Sequence, residues 1–384
     1  MTIGRNVAVD DRDLVALDRG AHRVSPYPLS YTLVWPYYFR FPSMRNHTGL
    51  QRPALHFRTP APPQPTVRVC ALGDIMVMHG DRVPNLSPEL VELLSSAEVV
   101  LGCCEAPLGR RYRDPAAKYS FMFNMPVEYL EGIIDQSGVP PDRWALNIAN
   151  NHAGDVGEEG PAVTQRRLRE LGVTPLGGRN RNDEHPIKVF ECGGLRLGLA
   201  GWTRWLNVDV FEAGEGVWRS EDISRLPLRK LRRDQALDAL LGIAHWEFEW
   251  SHFPRAETRT AAAELHKAGF DLIVGSHPHV LQPLEWFGTG LSLYSLGNFC
   301  SGLGRAWPAR MTSVAEIEFG TVGIHRGTVV SYRLHFFAQV NGPSRIELLP
   351  LERVPTLLRN RIIRRVLRLF AAHPQVFEQS ILTS

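Results

Sequence analysis

Short apolar runs alternate with segments of helical periodicity from residue 66 onward. Apolar runs bounded by loop residues predict buried strands, whereas apolar positions three or four residues apart predict amphipathic helices. The predicted strands are 67–74, 99–102, 144–150, 195–203, 240–246, 270–275 and 291–298. The predicted helices are 86–96, 126–136, 161–172, the charged segment 219–240 and 256–269. This repeated order of strand, loop and helix indicates an α/β fold.

Towards its end the chain changes to an alternation of apolar and polar residues. The alternation is present in residues 314–320, 328–340 and 345–351, and it is typical of half-buried antiparallel strands. An α/β order with a β-rich C-terminal part favours sheets that pack face to face, with helices on the outside.

The first 66 residues differ from residues 67–352, which we predict to be the main domain. They form a predicted N-terminal arm in which an aromatic, proline-broken stretch at 26–42 precedes a proline-rich connector at 53–65. The aromatic residues favour either an arm strapped across the domain or a lid or oligomer contact. The pattern alone does not separate these two interpretations.

Residues 353–384 are predicted to be a basic amphipathic helix and tail. Residues 353–369 contain six arginines and no acidic residue, while Leu358, Ile362 and Val366 fall near helical spacing. The pattern predicts a helix that docks on the domain with its arginines in solvent, and a basic patch for an anionic partner is the alternative.

Composition excludes several classes of protein. Of the 384 residues, 44% are hydrophobic and 22% are charged, and the formal net charge is +3. These values exclude a disordered chain, a fibrous repeat and a multi-span membrane protein. So small a positive surplus does not favour nucleic acid as the main partner. No apolar run reaches the roughly 18 residues that predict a membrane span.

The cysteines and the N-terminus bear on location. The chain has five cysteines, of which Cys103 and Cys104 are adjacent. An odd number with this spacing is a poor disulfide framework, and it favours a reducing compartment. Residues 1–18 lack the apolar core of a secretion signal. We therefore expect a cytoplasmic protein.

Five of the predicted strands end at residues that commonly bind metal ions. The clusters are Gly73-Asp74, the Cys-Cys-Glu sequence at 103–105, and the segments 149–157, 244–250 and 275–279. Ligands of α/β proteins gather beyond the carboxyl ends of the strands, so a fold that aligns these strands would bring the clusters together. The mixture of carboxylate, amide and imidazole groups suits Mn, Fe or Zn.

The order of these clusters resembles the CapA family of capsule and poly-γ-glutamate synthesis proteins, within the calcineurin-like metallophosphoesterases. The resemblance covers about residues 67 to 302. It rests on the sequences GDIM (73–76), CCE (103–105), ANNHAGDVG (149–157), HWEFEW (245–250), GSHPH (275–279) and YSLGNF (294–299).

The resemblance implies a four-layer αββα sandwich that carries a dinuclear metal centre. By this resemblance, Asp74 and His279 would bind one ion, and Glu105 would bridge the two ions. The second ion would be bound by Asn151, His245 and His277. The resemblance also implies that His152 donates a proton beside the centre and that Asp155 orients the loop.

Two departures from the related motifs bear on the substrate and on one ion. The metallophosphoesterase motif D-x-H is here Asp74-Ile75-Met76, and the glycine of H-W-G is here Glu247. A thioether in place of an imidazole predicts weaker binding of the ion at Asp74. A carboxylate near the centre would repel a phosphate unless a metal or an arginine offsets its charge.

The resemblance implies a metal-dependent hydrolase of the metallophosphoesterase type with two divalent ions. Its substrate would be a phosphoester or a carboxylate-rich, γ-glutamyl-type amide, in an anionic small molecule or polymer. The alternative is a metal-binding subunit or scaffold, without turnover, in polymer or natural-product biosynthesis. Assembly as a homo-oligomer stays open.

Overall fold

The computed structural model describes residues 25–60, 62, 64–77, 82–109, 122–183, 185–301, 307–342 and 345–372. Their α-helices are α1 Leu29–Arg40, α2 Pro88–Ser95, α3 Val127–Ser137, α4 Gly160–Glu170, α5 Ser220–Arg225, α6 Leu228–Asp234, α7 Ala256–Ala268 and α8 Thr356–Leu369. Their strands are β1 His56–Arg58, β2 Thr66–Ile75, β3 Asn85–Leu86, β4 Val99–Cys104, β5 Trp144–Asn147, β6 Thr174–Leu176, β7 Gly178–Arg179, β8 Lys188–Cys192, β9 Leu195–Thr203, β10 Gly216–Val217, β11 Ala239–His245, β12 Leu272–Ser276, β13 Leu281–Phe287, β14 Gly290–Leu296, β15 Asn298–Cys300, β16 Met311–Gly320, β17 Val329–Asn341 and β18 Ile346–Pro350.

Two large sheets carry most of these strands. Sheet A has the strand order β3-β18-β17-β16-β2-β4-β5-β6, with β1 paired to β17 and β15 paired to β2. Sheet B has the order β13-β14-β12-β11-β9-β8. Strands β2, β4, β5 and β6 run parallel in sheet A, and β9, β11, β12 and β14 run parallel in sheet B. The loops that follow parallel strands leave each sheet at one edge.

The facing sides of the two sheets form one hydrophobic core. Val69 and Leu101 of sheet A belong to the same buried cluster as Leu199 and Ile243 of sheet B. Since side chains alternate along a strand, the neighbouring residues point away from this core. The face-to-face packing of the sheets therefore follows from strands that are apolar on both faces.

The outer face of each sheet is covered by helices. Leu72 of sheet A packs in one cluster with Leu94 of α2 and Ile133 of α3. Trp202 of sheet B packs in another cluster with Leu265 of α7. The layers are thus helix, sheet, sheet and helix, and the prediction of a four-layer α/β fold is confirmed. The β-rich C-terminal part is also present, because β16, β17 and β18 are antiparallel.

Helix boundaries follow local sequence signals. Helix α2 begins after Ser87, whose hydroxyl accepts a hydrogen bond from the backbone N–H of Leu90, and Pro88 occupies the first turn. Helix α3 ends at Gly138, which has the left-handed conformation with φ of 69°. The charged segment 219–240 is two short helices and not one, because Pro227 interrupts it.

The N-terminal segment contains regular structure that the sequence did not indicate. Helix α1 lies within the stretch 26–42 and continues through Pro36. Contacts of Trp35 and Phe39 with the cluster around Trp250 stabilise this helix despite the missing N–H donor of the proline. Part of the predicted connector is β1, which pairs with β17.

The basic C-terminal segment contains α8, whose Ile362 and Val366 are buried in the core between the sheets. Residues 1–24 of the predicted arm and 373–384 of the predicted tail lie outside the described residues. No helix in the part of the chain that the structure describes combines the length and the apolar character that crossing a bilayer requires.

One buried amide joins the two sheets. Asn147, at the end of β5 in sheet A, is fully buried. Its side-chain N–H groups donate to the carbonyl oxygens of Trp202 at 3.3 Å and Ile243 at 3.2 Å, both in sheet B. They also donate to the carbonyl oxygen of Ala149 at 3.0 Å, and the side-chain oxygen of Asn147 accepts the N–H of Ala149 at 3.0 Å. Asn147 therefore fixes the sheets relative to each other beside the loop 149–157.

We expect Asn147→Ala to lower the free energy of unfolding by about 2–4 kcal/mol, because it leaves buried backbone groups without a partner. Equilibrium denaturation in urea measures this change. Asn360→Ala, at an exposed position of α8, is the matched control and should change the free energy by less than about 0.5 kcal/mol. Equal effects of the two substitutions would contradict the role of Asn147 as a link between the sheets.

Candidate metal centre

The loops after four parallel strands meet at the seam between the sheets. In sheet A, β2 lies beside β4 with Asp74 opposite Cys103, and Glu105 directly follows β4. In sheet B, β11 lies beside β12 with His245 opposite Ser276. Because the carboxyl ends of parallel strands share one edge, the side chains at these ends converge.

Two carboxylates lie at the middle of this cluster. Asp74 and Glu105 are both fully buried. Oδ2 of Asp74 accepts the backbone N–H of His277 at 3.0 Å. Among the described residues, Oδ1 of Asp74 and both oxygens of Glu105 have no hydrogen-bond partner. Buried charges without partners are costly, so this arrangement calls for a bound cation.

Three imidazoles surround Glu105 on two sides. Its Oε1 atom lies 3.5 Å from Nε2 of His245 and 3.9 Å from Nδ1 of His277. Its Oε2 atom lies 3.5 Å from Nδ1 of His279, and that nitrogen is 3.6 Å from Oδ2 of Asp74. The carboxylate of Glu105 is thus shared between two groups of neighbours.

These neighbours form two sets of metal-binding size. The atoms of Asp74, Glu105 and His279 lie within 4.8 Å of one another, and so do those of Glu105, His245 and His277. Oδ1 of Asn151 adds an oxygen 3.0 Å from Nε2 of His245. The structure therefore brings together all six residues that the sequence analysis nominated as ligands.

Protonation states within the cluster suit cation binding. Burial lowers the pKa of His245 and of His277 well below the usual value, so both imidazoles are neutral and can offer a lone pair. Burial and the neighbouring Asp74 raise the pKa of Glu105 well above the usual value. Burial alone would lower the pKa of His279, but Glu105 and Asp74 raise it to about 10. A bound cation would replace the charge that these protons supply.

His152 and Asp155 form a hydrogen-bonded pair beside the cluster. Nδ1 of His152 lies 2.7 Å from Oδ2 of Asp155, and the same oxygen accepts the backbone N–H of Phe123 at 2.7 Å. The backbone N–H of His152 donates to Oδ1 of Asn150 at 3.0 Å. Since Asn150 also donates to the carbonyl oxygen of Cys104 at 2.8 Å, the loop is tied to the strand that leads to Glu105.

The segment GSHPH needs special backbone geometry. His277 and His279 have φ of 96° and 57°, in the left-handed region. Strain of this kind often accompanies functional sites, where surrounding contacts hold the backbone in place. Gly275 is required by close approach, because a Cβ atom there would lie 2.1 Å from the carbonyl oxygen of Tyr294.

The two departures from the related motifs have structural explanations. Met76 is buried in the hydrophobic cluster between sheet A and the helices α2 and α3, where it packs as a core residue. The Glu247 carboxylate accepts the Nε–H of Arg255 at 2.7 Å and the backbone N–H of the same residue at 2.8 Å. Arg255 therefore offsets the charge of Glu247.

Two residues of the site were missed by the sequence analysis. A carboxylate oxygen of Glu249 lies within 4.8 Å of ring nitrogens of His277 and His279. The second glutamate of HWEFEW could have indicated this residue. The hydroxyl of Tyr27 lies 2.6 Å from Nε2 of His277, and burial followed by the charge of Glu249 raises the Tyr27 pKa well above its usual value. No motif signalled Tyr27, because it lies far from the cluster in sequence.

Comparison with known proteins gives a family match over the part of the chain that carries the six candidate ligands. The family model of the bacterial capsule synthesis protein PGA_cap matches residues 68–303. The chain is 32% identical over 165 residues to the capsule biosynthesis protein CapA of Bacillus anthracis, a match that covers 40% of this chain and 39% of that protein. It is 31% identical over 163 residues to the PGA biosynthesis protein CapA of Bacillus subtilis (strain 168), covering 40% and 41% of the two chains.

The chain thus spans about two fifths of the length of these curated relatives. Among solved structures, a novel phosphatase from Mycoplasma pneumoniae is similar with a TM-score of 0.43 and 10% identity. That similarity covers 71% of this chain and 94% of the phosphatase.

We expect His277→Ala to weaken binding of Zn²⁺ or Mn²⁺ by more than about a hundredfold, beyond the loss typical of an outer partner of a ligand. Competition with a chromophoric chelator measures the affinity. His56→Ala, at an exposed position away from the cluster, is the control and should bind metal as the wild type does. Unchanged affinity of the His277 variant would show that this side chain is not a ligand.

Proposed function

Because the chain belongs to the bacterial capsule synthesis protein family, we propose that it is a metal-dependent hydrolase with two divalent ions. The observation that carries the proposal is the buried carboxylate of Glu105, whose two unpartnered oxygens face two different sets of ligands. In this proposal, Glu105 binds both ions. Asp74 and His279 bind the first ion, and Asn151, His245 and His277 bind the second.

The donor set fits transition metals. Carboxylate, amide and neutral imidazole groups together suit Mn, Fe or Zn better than calcium or a thiolate-bound ion. Divalent ions held there would supply Lewis-acid polarisation of the substrate and a water molecule acidic enough to lose a proton near neutral pH.

His152 is the proposed proton donor to the leaving group. Its Nδ1 atom is engaged with Asp155, so Asp155 holds the ring in one orientation and leaves Nε2 to exchange a proton with the substrate. The backbone contacts of Asn150 and Phe123 described above fix both members of the pair. Asp155 therefore acts by orienting His152.

The proposed substrate is anionic, either a phosphoester or a carboxylate-rich amide of the γ-glutamyl type. The first follows from the proposed pair of ions, which would bind phosphoryl oxygens. The second follows from the names of the curated relatives, which refer to capsule and PGA biosynthesis. The substrate is a small molecule or a polymer, and nucleic acid is not a proposed partner.

The odd number of cysteines favours a reducing compartment, and a cytoplasmic location is part of the proposal.

One observation favours the alternative of a metal-binding scaffold without turnover. The Tyr27 hydroxyl lies 2.6 Å from Nε2 of His277, and the side chains of Tyr31 and Trp35 contact the neighbouring Glu249. A centre covered in this way has less room for substrate. The His152–Asp155 pair favours the enzyme, since a purely structural metal site needs no oriented proton donor.

A substrate screen separates these two functions. Protein reconstituted with Mn²⁺, Fe²⁺ or Zn²⁺ is assayed with 4-nitrophenyl phosphate and with γ-glutamyl peptides. We expect metal-dependent turnover of at least one class, abolished by a chelator and restored by the ion. If the loaded protein binds metal and turns over neither class, the scaffold becomes the better account.

We expect His152→Gln to retain metal but to lower turnover by about 10²–10⁴-fold, the usual contribution of general acid catalysis. The loss should be smaller for a nitrophenyl leaving group, which needs no proton, than for an alkyl one. Asp155→Asn should show the same dependence on the leaving group. Loss of metal from the His152 variant, measured by elemental analysis, would instead identify His152 as a ligand.

A further inference from the structure

Residues 25–43 lie outside the segment that matches the family model, yet they reach the candidate metal centre. The family match begins at residue 68, whereas the hydroxyl of Tyr27 lies 2.6 Å from Nε2 of His277. The Tyr27 ring packs edge-on against Phe248 and Trp205, with centroid distances of 5.0 and 5.5 Å. The rings of Phe248 and Trp205 therefore hold the Tyr27 ring on two sides, with its hydroxyl against His277.

The two ring nitrogens of His277 have different surroundings. Nε2 is bound to Tyr27. Nδ1 is buried and has no hydrogen-bond partner among the described residues, and its distance of 3.9 Å from Oε1 of Glu105 is beyond hydrogen-bond range. A proton on Nδ1 would therefore be a buried donor without an acceptor.

In the opposite tautomer, the N–H group of the ring has an acceptor. If Nε2 carries the proton, it donates to the Tyr27 hydroxyl, and the lone pair of Nδ1 faces Glu105 and the space between the ligands. Metal-binding histidines usually donate their second N–H to an acceptor, which fixes the ring orientation and the tautomer. The Tyr27 hydroxyl is placed to be that acceptor.

We propose that Tyr27 is a positioning residue of the metal centre, which accepts the Nε2–H of His277 and holds Nδ1 towards the ion. This inference rests on the metal centre of the proposed function but not on turnover. It assigns to the N-terminal segment a part of the site that the family-matched domain does not supply.

Contacts along α1 hold Tyr27 in place. The Tyr31 hydroxyl donates to the carbonyl oxygen of Glu249, and the indole N–H of Trp35 donates to the carboxylate of the same residue. Farther along, the backbone N–H of Ser43 donates to the carbonyl oxygen of Trp250 at 2.8 Å. The segment is thus bound to the loop 246–252, which directly follows His245 at the end of β11.

The test compares Tyr27→Phe with Tyr31→Phe in the full chain. Each substitution removes one hydroxyl from the same aromatic cluster, but only Tyr27 contacts His277. We expect Tyr27→Phe to weaken binding of Zn²⁺ by about 10–100-fold in chelator competition, as for other outer partners of metal-binding histidines. Tyr31→Phe removes one contact of the segment but leaves those of Trp35 and Ser43, so it should change the affinity by less than about threefold. Thermal unfolding without metal checks that both variants fold.

Equal affinities of Tyr27→Phe and the wild type, or equal losses in both variants, would overturn the proposal. Residues 25–43 would then only cover the metal centre.

A second measurement needs no variant. Long-range ¹H–¹⁵N NMR of the Zn²⁺-loaded wild type should show His277 protonated at Nε2, and protonation at Nδ1 would also overturn the proposal. If the wild type binds no metal, the metal centre of the proposed function is itself contradicted. If it binds metal without turnover, only the hydrolase assignment fails.

Discussion

The burial of the Glu105 carboxylate is the constraint on which the arrangement of the site depends. Two carboxylates in a low-dielectric interior repel each other, and each loses the hydration that would stabilise its charge. The neutral imidazoles of His245 and His277 offer lone pairs and do not compensate this charge, whereas His279 gains a proton beside the carboxylates. A cation between the carboxylates and the imidazoles would stabilise both kinds of group at once, which explains why the chain buries them together and leaves both oxygens of Glu105 without a hydrogen-bond partner among the described residues.

The two sheets are what makes such a cluster compatible with a stable fold. Neither sheet alone supplies the ligands, since Asp74 and Glu105 lie at the ends of strands of sheet A while His245 and His277 lie at the ends of strands of sheet B. The common hydrophobic core and the Asn147 hydrogen bonds fix the distance between the sheets. The left-handed conformations of the two histidines in GSHPH are then held by packing on both sides.

The sequence predicted those features that depend on the local pattern of apolar and polar residues, or on the metal-binding residue types found at the ends of several strands. Strand periodicity was sufficient for sheets that pack face to face with helices outside, and the ligand types at strand ends indicated where a metal site would form. The four-layer sandwich and the set of six ligands came from the resemblance to the CapA family. The sequence did not predict α1, since proline and aromatic residues weaken local helix propensity and the helix depends on contacts with Trp250. It also did not predict Tyr27 beside His277 or Arg255 beside Glu247, because packing of the whole chain decides which side chains meet.

A diffraction experiment tests the central claim most directly. Crystals grown with Zn²⁺ or Mn²⁺ would be measured at wavelengths on either side of the absorption edge of the metal, so that anomalous density locates each ion. The account predicts two peaks that share Glu105, one near Asp74 and His279 and the other near His245 and His277. A single peak, or none within bonding distance of Glu105, would contradict it.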